Sequence, residues 1–299
     1  MRSAVTSVLS ATVELTAQVW RAWQEDYATS MGAALAYYTL FSLAPLLLIV
    51  VSVAGLAFGQ EAARGEIQVQ LDTLMGPGSA GAVQSLLASV HEPAKGWLAT
   101  VVGLVLLVAG ASSVFGEIQS ALDRIWRVPV VRSKRGWLAP VRSRLLSFGM
   151  ILVLGFLLTV SLLASAVLAA LGRGLDPLLG DWHWIVHFGN GVGGLALAAV
   201  VFALIFKLMP RVHVKWTDVW IGALFTAVLF TLGKTLIGWY IGRSGVVSGF
   251  GAAGSLVVVL LWVYYSAQIL LVGAEFTWVY ANRFGSRNGA KTAEPVQVH

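Results

Sequence analysis

Six long apolar runs, none with an Asp or Arg inside, constrain this chain more than any other feature: Ala33–Phe58, Trp97–Phe115, Leu145–Leu171, Trp184–Met209, Val219–Ile241 and Ala252–Glu275. Each is about as long as a helix needs to cross ~30 Å of hydrocarbon at ~1.5 Å per residue. A soluble domain of this size would alternate apolar and polar faces, and these runs do not. The expected fold class is therefore all-α: a polytopic membrane bundle of six transmembrane helices, with amphipathic interfacial and external-loop helices attached.

Charge sharpens this reading. Only 11% of the 299 residues are charged and the mean hydropathy is +0.80, whereas soluble domains carry about 25% charged residues. With the N-terminus placed in the cytoplasm, the cytoplasmic segments hold Arg2, Arg21, Arg124, Arg127, Arg132, Lys134, Arg135, Arg142, Arg144, Arg211, Lys215, Arg283, Arg287 and Lys291. The other side holds only Arg64, Lys95, Arg173 and Arg243. That fourteen-to-four asymmetry predicts that both termini lie in the cytoplasm. It also accounts for the net charge of +6 without nucleic acid. Trp97, Trp182, Trp184, Trp216 and Trp278 fall near run ends, as in an aromatic belt. There is no cysteine, so no disulfide or thiolate metal site forms.

The domain reading follows. Residues 1–32 are a cytoplasmic amphipathic segment, with Val8, Val13, Leu15, Val19, Trp20 and Trp23 at helical spacing. Residues 33–279 form the membrane domain, with two amphipathic helices in the external loop 59–96. The second run is expected to continue as a helix toward Pro129. Residues 280–299 are a cytoplasmic tail, small and polar from Gly285 onward and expected to be disordered.

Several residues stand out as candidates for transport or gating. Pro45 removes a backbone hydrogen bond in the middle of the first run. It either breaks a helix that lines a cavity or makes a kink that neighbouring groups satisfy. Lys234 is the deepest ionisable residue, 15 positions after Val219. It either faces a polar cavity or stretches its stem to the outer interface. Glu117, Lys207 and Glu275 share a depth near the cytoplasmic interface and suggest an ion-paired gate or structural latch, with Asp218 or Asp26 as further members. Tyr37, Tyr38 and Tyr264 could line a polar path or pack between helices. Gly193, Gly251 and Gly273 permit close helix approach. The histidines are scattered, and no HExxH, G-x-S-x-G or P-loop is present. No catalytic residue, metal site or cofactor is expected.

The stretch GAALAYYTLFSLAPLLLIV at Gly32–Val50 resembles the N-terminal signature of the YihY/BrkB family of bacterial inner-membrane proteins, as does IQSALDRIWRV at Ile118–Val128. Gly251–Ala281 resembles its second hallmark, with Trp262, Tyr264, Gly273 and Glu275 at motif positions. The resemblance implies six spans, and it implies export or flipping of an amphiphilic envelope component. An envelope-assembly scaffold is the first alternative. A ribonuclease, the family's older label, is the second, and it lacks a metal cluster here to hydrolyse phosphodiesters. The expected partners are membrane lipids, with anionic headgroups at the basic 124–144 loop. Self-association into a homo-oligomer stays open, and no nucleic acid is expected.

Overall fold

The computed structural model of the chain describes residues 2–42, 65, 113–129, 183–243, 250 and 253–288. Among these residues every regular element is a helix. In chain order they are α1 (Arg2–Glu25), α2 (28–42), α3 (113–125), α4 (His183–Leu208), α5 (Trp216–Arg243) and α6 (Gly254–Arg283). Pro45, the external loop, the third apolar run and most of the first two lie outside the described residues.

Among the described residues, three helices are long and apolar enough to cross a membrane: α4, α5 and α6. At ~1.5 Å per residue, their 26, 28 and 30 residues span more than the ~30 Å hydrocarbon thickness. A helix that is apolar all round has no solvent face to offer, so lipid or other helices must surround it. The outer face of α5 meets this condition. Ile221, Leu224, Val228, Leu232, Leu236 and Trp239 form one exposed apolar stripe at three- and four-residue spacing.

Local chemistry ends each helix. Pro210 follows α4 and cannot extend it. Asp218 lies in the first turn of α5, where a carboxylate suits the positive helix end. Helix α3 closes with Val128 N–H donating to the Asp123 carbonyl and Arg127 N–H to that of Arg124. That hydrogen-bond pair needs a left-handed residue between helix and exit, and Arg127 supplies it at φ 51°. After α1, Tyr27 takes the same region at φ 55°.

Helices α4, α5 and α6 pack antiparallel in sequence order. Phe202 meets Phe230 while Lys207 lies over Trp216, which sets α4 against α5. The α5–α6 seam is built from two reciprocal pairs. A Cβ on Gly222 would collide with the Thr277 side chain, and one on Gly273 with that of Thr226. Each threonine hydroxyl donates to its own helix, Thr226 to the Gly222 carbonyl and Thr277 to that of Gly273. The hydroxyls are thus satisfied internally while the backbones approach closely.

The buried core draws on five helices, among them Leu35 of α2, Leu122 and Ile125 of α3, Phe206 of α4, Val219 of α5 and Leu271 of α6. It concentrates at the end where α2 and α5 begin and α3, α4 and α6 finish. Helix α1 packs there against the last turns of α6. Arg283 pairs with Glu14, and the Trp23 indole N–H donates to the Gln268 amide oxygen at 3.2 Å. Its buried ridge is narrow: Val19, Ala22 and then Asp26. Val13 and Trp20 of the expected apolar face remain exposed.

The tail departs from its expected disorder at its start. The buried Asp218 carboxylate accepts the Ser286 hydroxyl at 2.6 Å and the Ser286 backbone N–H at 3.2 Å. Arg287 donates to the His213 carbonyl and lies 5.0 Å over the Trp126 ring. Composition alone suggested a loose tail, but these hydrogen bonds hold residues 285–288 against the bundle.

Candidate functional site

The chemistry gathers at this polar end. The turn between α1 and α2 is fixed by Asp26 N–H donating to the Ala22 carbonyl and by the left-handed Tyr27. It aims Asp26 inward, where the residue is buried. Two turns before the end of α6, Glu275 has no exposed surface at all. Its neighbours Leu271, Ala274 and Val279 are buried too.

Neither Glu275 oxygen meets an ordinary N–H or O–H donor. Its carboxyl lies beside that of Asp26, close enough to bear on its ionisation. Two ionised carboxylates only accept, so a hydrogen bond between them requires a proton on one of them. Burial pushes the Asp26 carboxyl above the usual carboxylate range, against the pull of Arg127, the hydrogen bond from Glu275 and the pull of Arg124. Arg124 Nε stands 4.0 Å from Asp26 Oδ1, with its guanidinium 5.5 Å over the Tyr27 ring. Arg127 pairs with Glu25 at 3.6 Å and lies 4.9 Å over the Trp278 ring.

A polar clamp sits above the pair. Gln268 accepts from Trp23 and donates its amide N–H to the Ala28 carbonyl at 3.2 Å, joining α1, α2 and α6. A Cβ at Gly32 would fall on that amide, with Tyr264 beside it. Next to the pair, α1 and α6 wall an open cleft of about 560 Å³. Arg21, Glu25, Arg127, Trp278, Asn282 and Arg283 line it. Three guanidinium groups against one carboxylate, beside an indole face, suit a ligand with an anionic head and an apolar body.

The residues singled out from sequence separate in the structure. Glu275 meets Asp26 and not Glu117 or Lys207. Lys207, half-buried, donates to the Val214 carbonyl and lies 5.3 Å over the Trp216 ring. Glu117 is half-buried on α3. At its end of the bundle, Arg211 pairs with Asp123 at 3.3 Å and donates to Gln119. Lys234 is half-buried on α5. Tyr37 and Tyr38 are exposed on α2 and meet edge to face. Sequence reasoning placed Trp23 only on the apolar face of the N-terminal segment, and it missed Gln268 and the arginine-lined cleft. The amide inside an otherwise apolar final run was the available signal.

Residues 19–297 match the family described as Virulence factor BrkB. Among curated proteins, the chain is similar to UPF0761 membrane proteins of Xanthomonas campestris pv. campestris and Xanthomonas oryzae pv. oryzae. Each is 29% identical over 261 residues, 86% of this chain and 58% of the relative. The chain thus spans less than two thirds of the length of these relatives. No solved structure matches it.

Proposed function

This chain belongs to the BrkB family of membrane proteins, and from that premise we propose that it is a non-enzymatic, multi-pass inner-membrane protein that moves an anionic amphiphile of the cell envelope across the bilayer. One observation carries the proposal: the buried Asp26–Glu275 pair adjoins an arginine-lined cleft at the end of a helix long and apolar enough to span. Ionisable groups inside membrane helices are costly and mark solute or proton paths by default. The cleft supplies charge for the headgroup, and Trp278 supplies an apolar wall beside it. In this reading the polar end faces the cytoplasm, as the distribution of basic residues favours. Lys234 is the second cation on the route.

A scaffold without transport is the second reading, favoured by the close α5–α6 seam at Gly222 and Gly273. Reconstitution separates the two. Purified protein in phosphatidylcholine vesicles doped with fluorescent phosphatidylglycerol should carry the label between leaflets well above the protein-free rate. Arg127→Gln together with Arg283→Gln should slow that movement. Folded protein that moves neither anionic nor zwitterionic lipid would leave the scaffold standing.

A further inference from the structure

We infer that Asp26 and Glu275 form a proton-binding site, holding one proton between two buried carboxyls, and that Arg127 links this site to anion binding in the α1–α6 cleft. The proton site stands on two buried carboxyls whose oxygens lack donors; only its role as a driving ion rests on the transport reading.

The geometry leaves few alternatives for the pair. Both Glu275 oxygens and Asp26 Oδ2 are sequestered without an ordinary donor. Two like charges in buried contact cannot both ionise at low cost. Among the described residues, the surrounding charges come from two elements. Helix α1 brings Glu25, and the segment closing α3 brings Arg124 and Arg127. Helix α2 carries no Asp, Glu, Lys, Arg or His between 28 and 42. On α6, the next charge is Arg283, which Glu14 holds. Among the described residues no cation forms an ion pair with Glu275 that would replace the proton.

The link to the cleft follows from Arg127. This side chain lines the cleft, stacks on Trp278 and favours ionisation of Asp26. An anion bound against Arg127 weakens that influence and so strengthens the hold on the proton. By reciprocity, a protonated pair must bind the anion more tightly than an ionised one. Loss of the proton places two negative charges between the α1–α2 turn and α6, and α1 and α6 are the walls of the cleft. Proton and anion therefore bind together and leave together, the coupling that a proton-driven carrier of anions needs.

Infrared spectroscopy of the full chain, in a detergent without ester carbonyls, tests this directly. Wild-type protein should show a protonated-carboxyl band at neutral pH that fades as pH rises. Glu275→Gln should remove it, and Asp26→Asn should shift its midpoint. Absence of the band in wild type overturns the site, as does a band unchanged by both substitutions. If either variant fails to fold, the wild-type titration still decides. Ether-linked phosphatidylglycerol and glycerol phosphate then probe the link. A midpoint raised by the lipid alone assigns a membrane-borne anion. A midpoint raised by both assigns the phosphate group itself, and no change with either removes the link. A titrating band in protein that flips no lipid would sink the transport reading and leave the proton site intact. Flipping without the band would do the reverse.

Discussion

Two carboxyls in contact inside an apolar bundle make this protein's stability depend on pH in a definite direction. The Asp26 carboxyl is raised above its ordinary value by burial. The folded state therefore binds more protons than the unfolded chain between the usual carboxylate pKa and the raised one. Stability is fully present below that window and falls as pH climbs through it. The slope is at most ~1.4 kcal/mol per pH unit for one proton. The informative quantity is a difference between variants. Thermal midpoints of wild type and an Asp26→Asn, Glu275→Gln double variant should be taken across pH, and the wild type should lose ground to the double variant as pH rises through that window. Parallel curves would mean that the pair holds no extra proton. Strain at the same place supports a functional role. Tyr27 and Arg127, the positive-φ non-glycine residues among those described, flank this site. Each costs on the order of 1–3 kcal/mol, and such residues cluster at functional sites.

Among elements, α5 and α6 show what the sequence discloses and what it withholds. Gly273 was legible as a close-approach residue from its place in an apolar run, although Gly193, read the same way, meets nothing among the described residues. The partner of Gly273, Thr226, and the mirrored Gly222–Thr277 contact were not legible, because spacing along one helix gives no register against another. The depth-matched trio of Glu117, Lys207 and Glu275 failed to gather for a related reason. Counting residues from a run's end gives height along the membrane normal and leaves rotation about the helix axis free. Glu275 turns toward α1 and Asp26, while Lys207 turns toward the α4–α5 connection. The reciprocal seam supports a paired test. Gly222→Ala or Gly273→Ala forces a methyl into the facing threonine and should cost about 1–3 kcal/mol, the usual range for overpacking. Gly222→Ala with Thr277→Ala frees that space and should recover much of the loss, read as detergent or thermal resistance. Equal loss in the single and double variants would show that the helices do not meet at this register.

At the scale of the whole molecule, the described helices limit the path of the rest of the chain. Helix α3 runs toward the polar end, since Gln119 bonds Met209 and Asp123 bonds Arg211 just beyond it. Helix α4 also runs toward that end and finishes beside Val214 and Trp216. Two successive described helices with the same direction require an odd number of crossings between residues 129 and 183. The smallest such number is one, and Leu145–Leu171 is the apolar run available to supply it. The same logic applies between α2, which leaves the polar end, and α3, which returns to it. The remainder of the first run and the second are the apolar stretches that the sequence offers for that excursion. Among the described residues three helices are long and apolar enough to cross a membrane, and the sequence holds six such runs. The sequence alone made the runs legible because hydrocarbon thickness is a strict ruler, whereas the acid pair depends on contacts that no ruler reports. Reporter fusions test the path. A reporter after Arg135 and one at the C-terminus should lie on one side of the membrane, and reporters at Gly78 and Asp176 on the other. The basic residues further predict that the first side is the cytoplasm. A reporter at Asp176 on the same side as the C-terminus would mean that Leu145–Leu171 does not cross. The matching directions of α3 and α4 would then need another explanation, and the six-span architecture would fall with it.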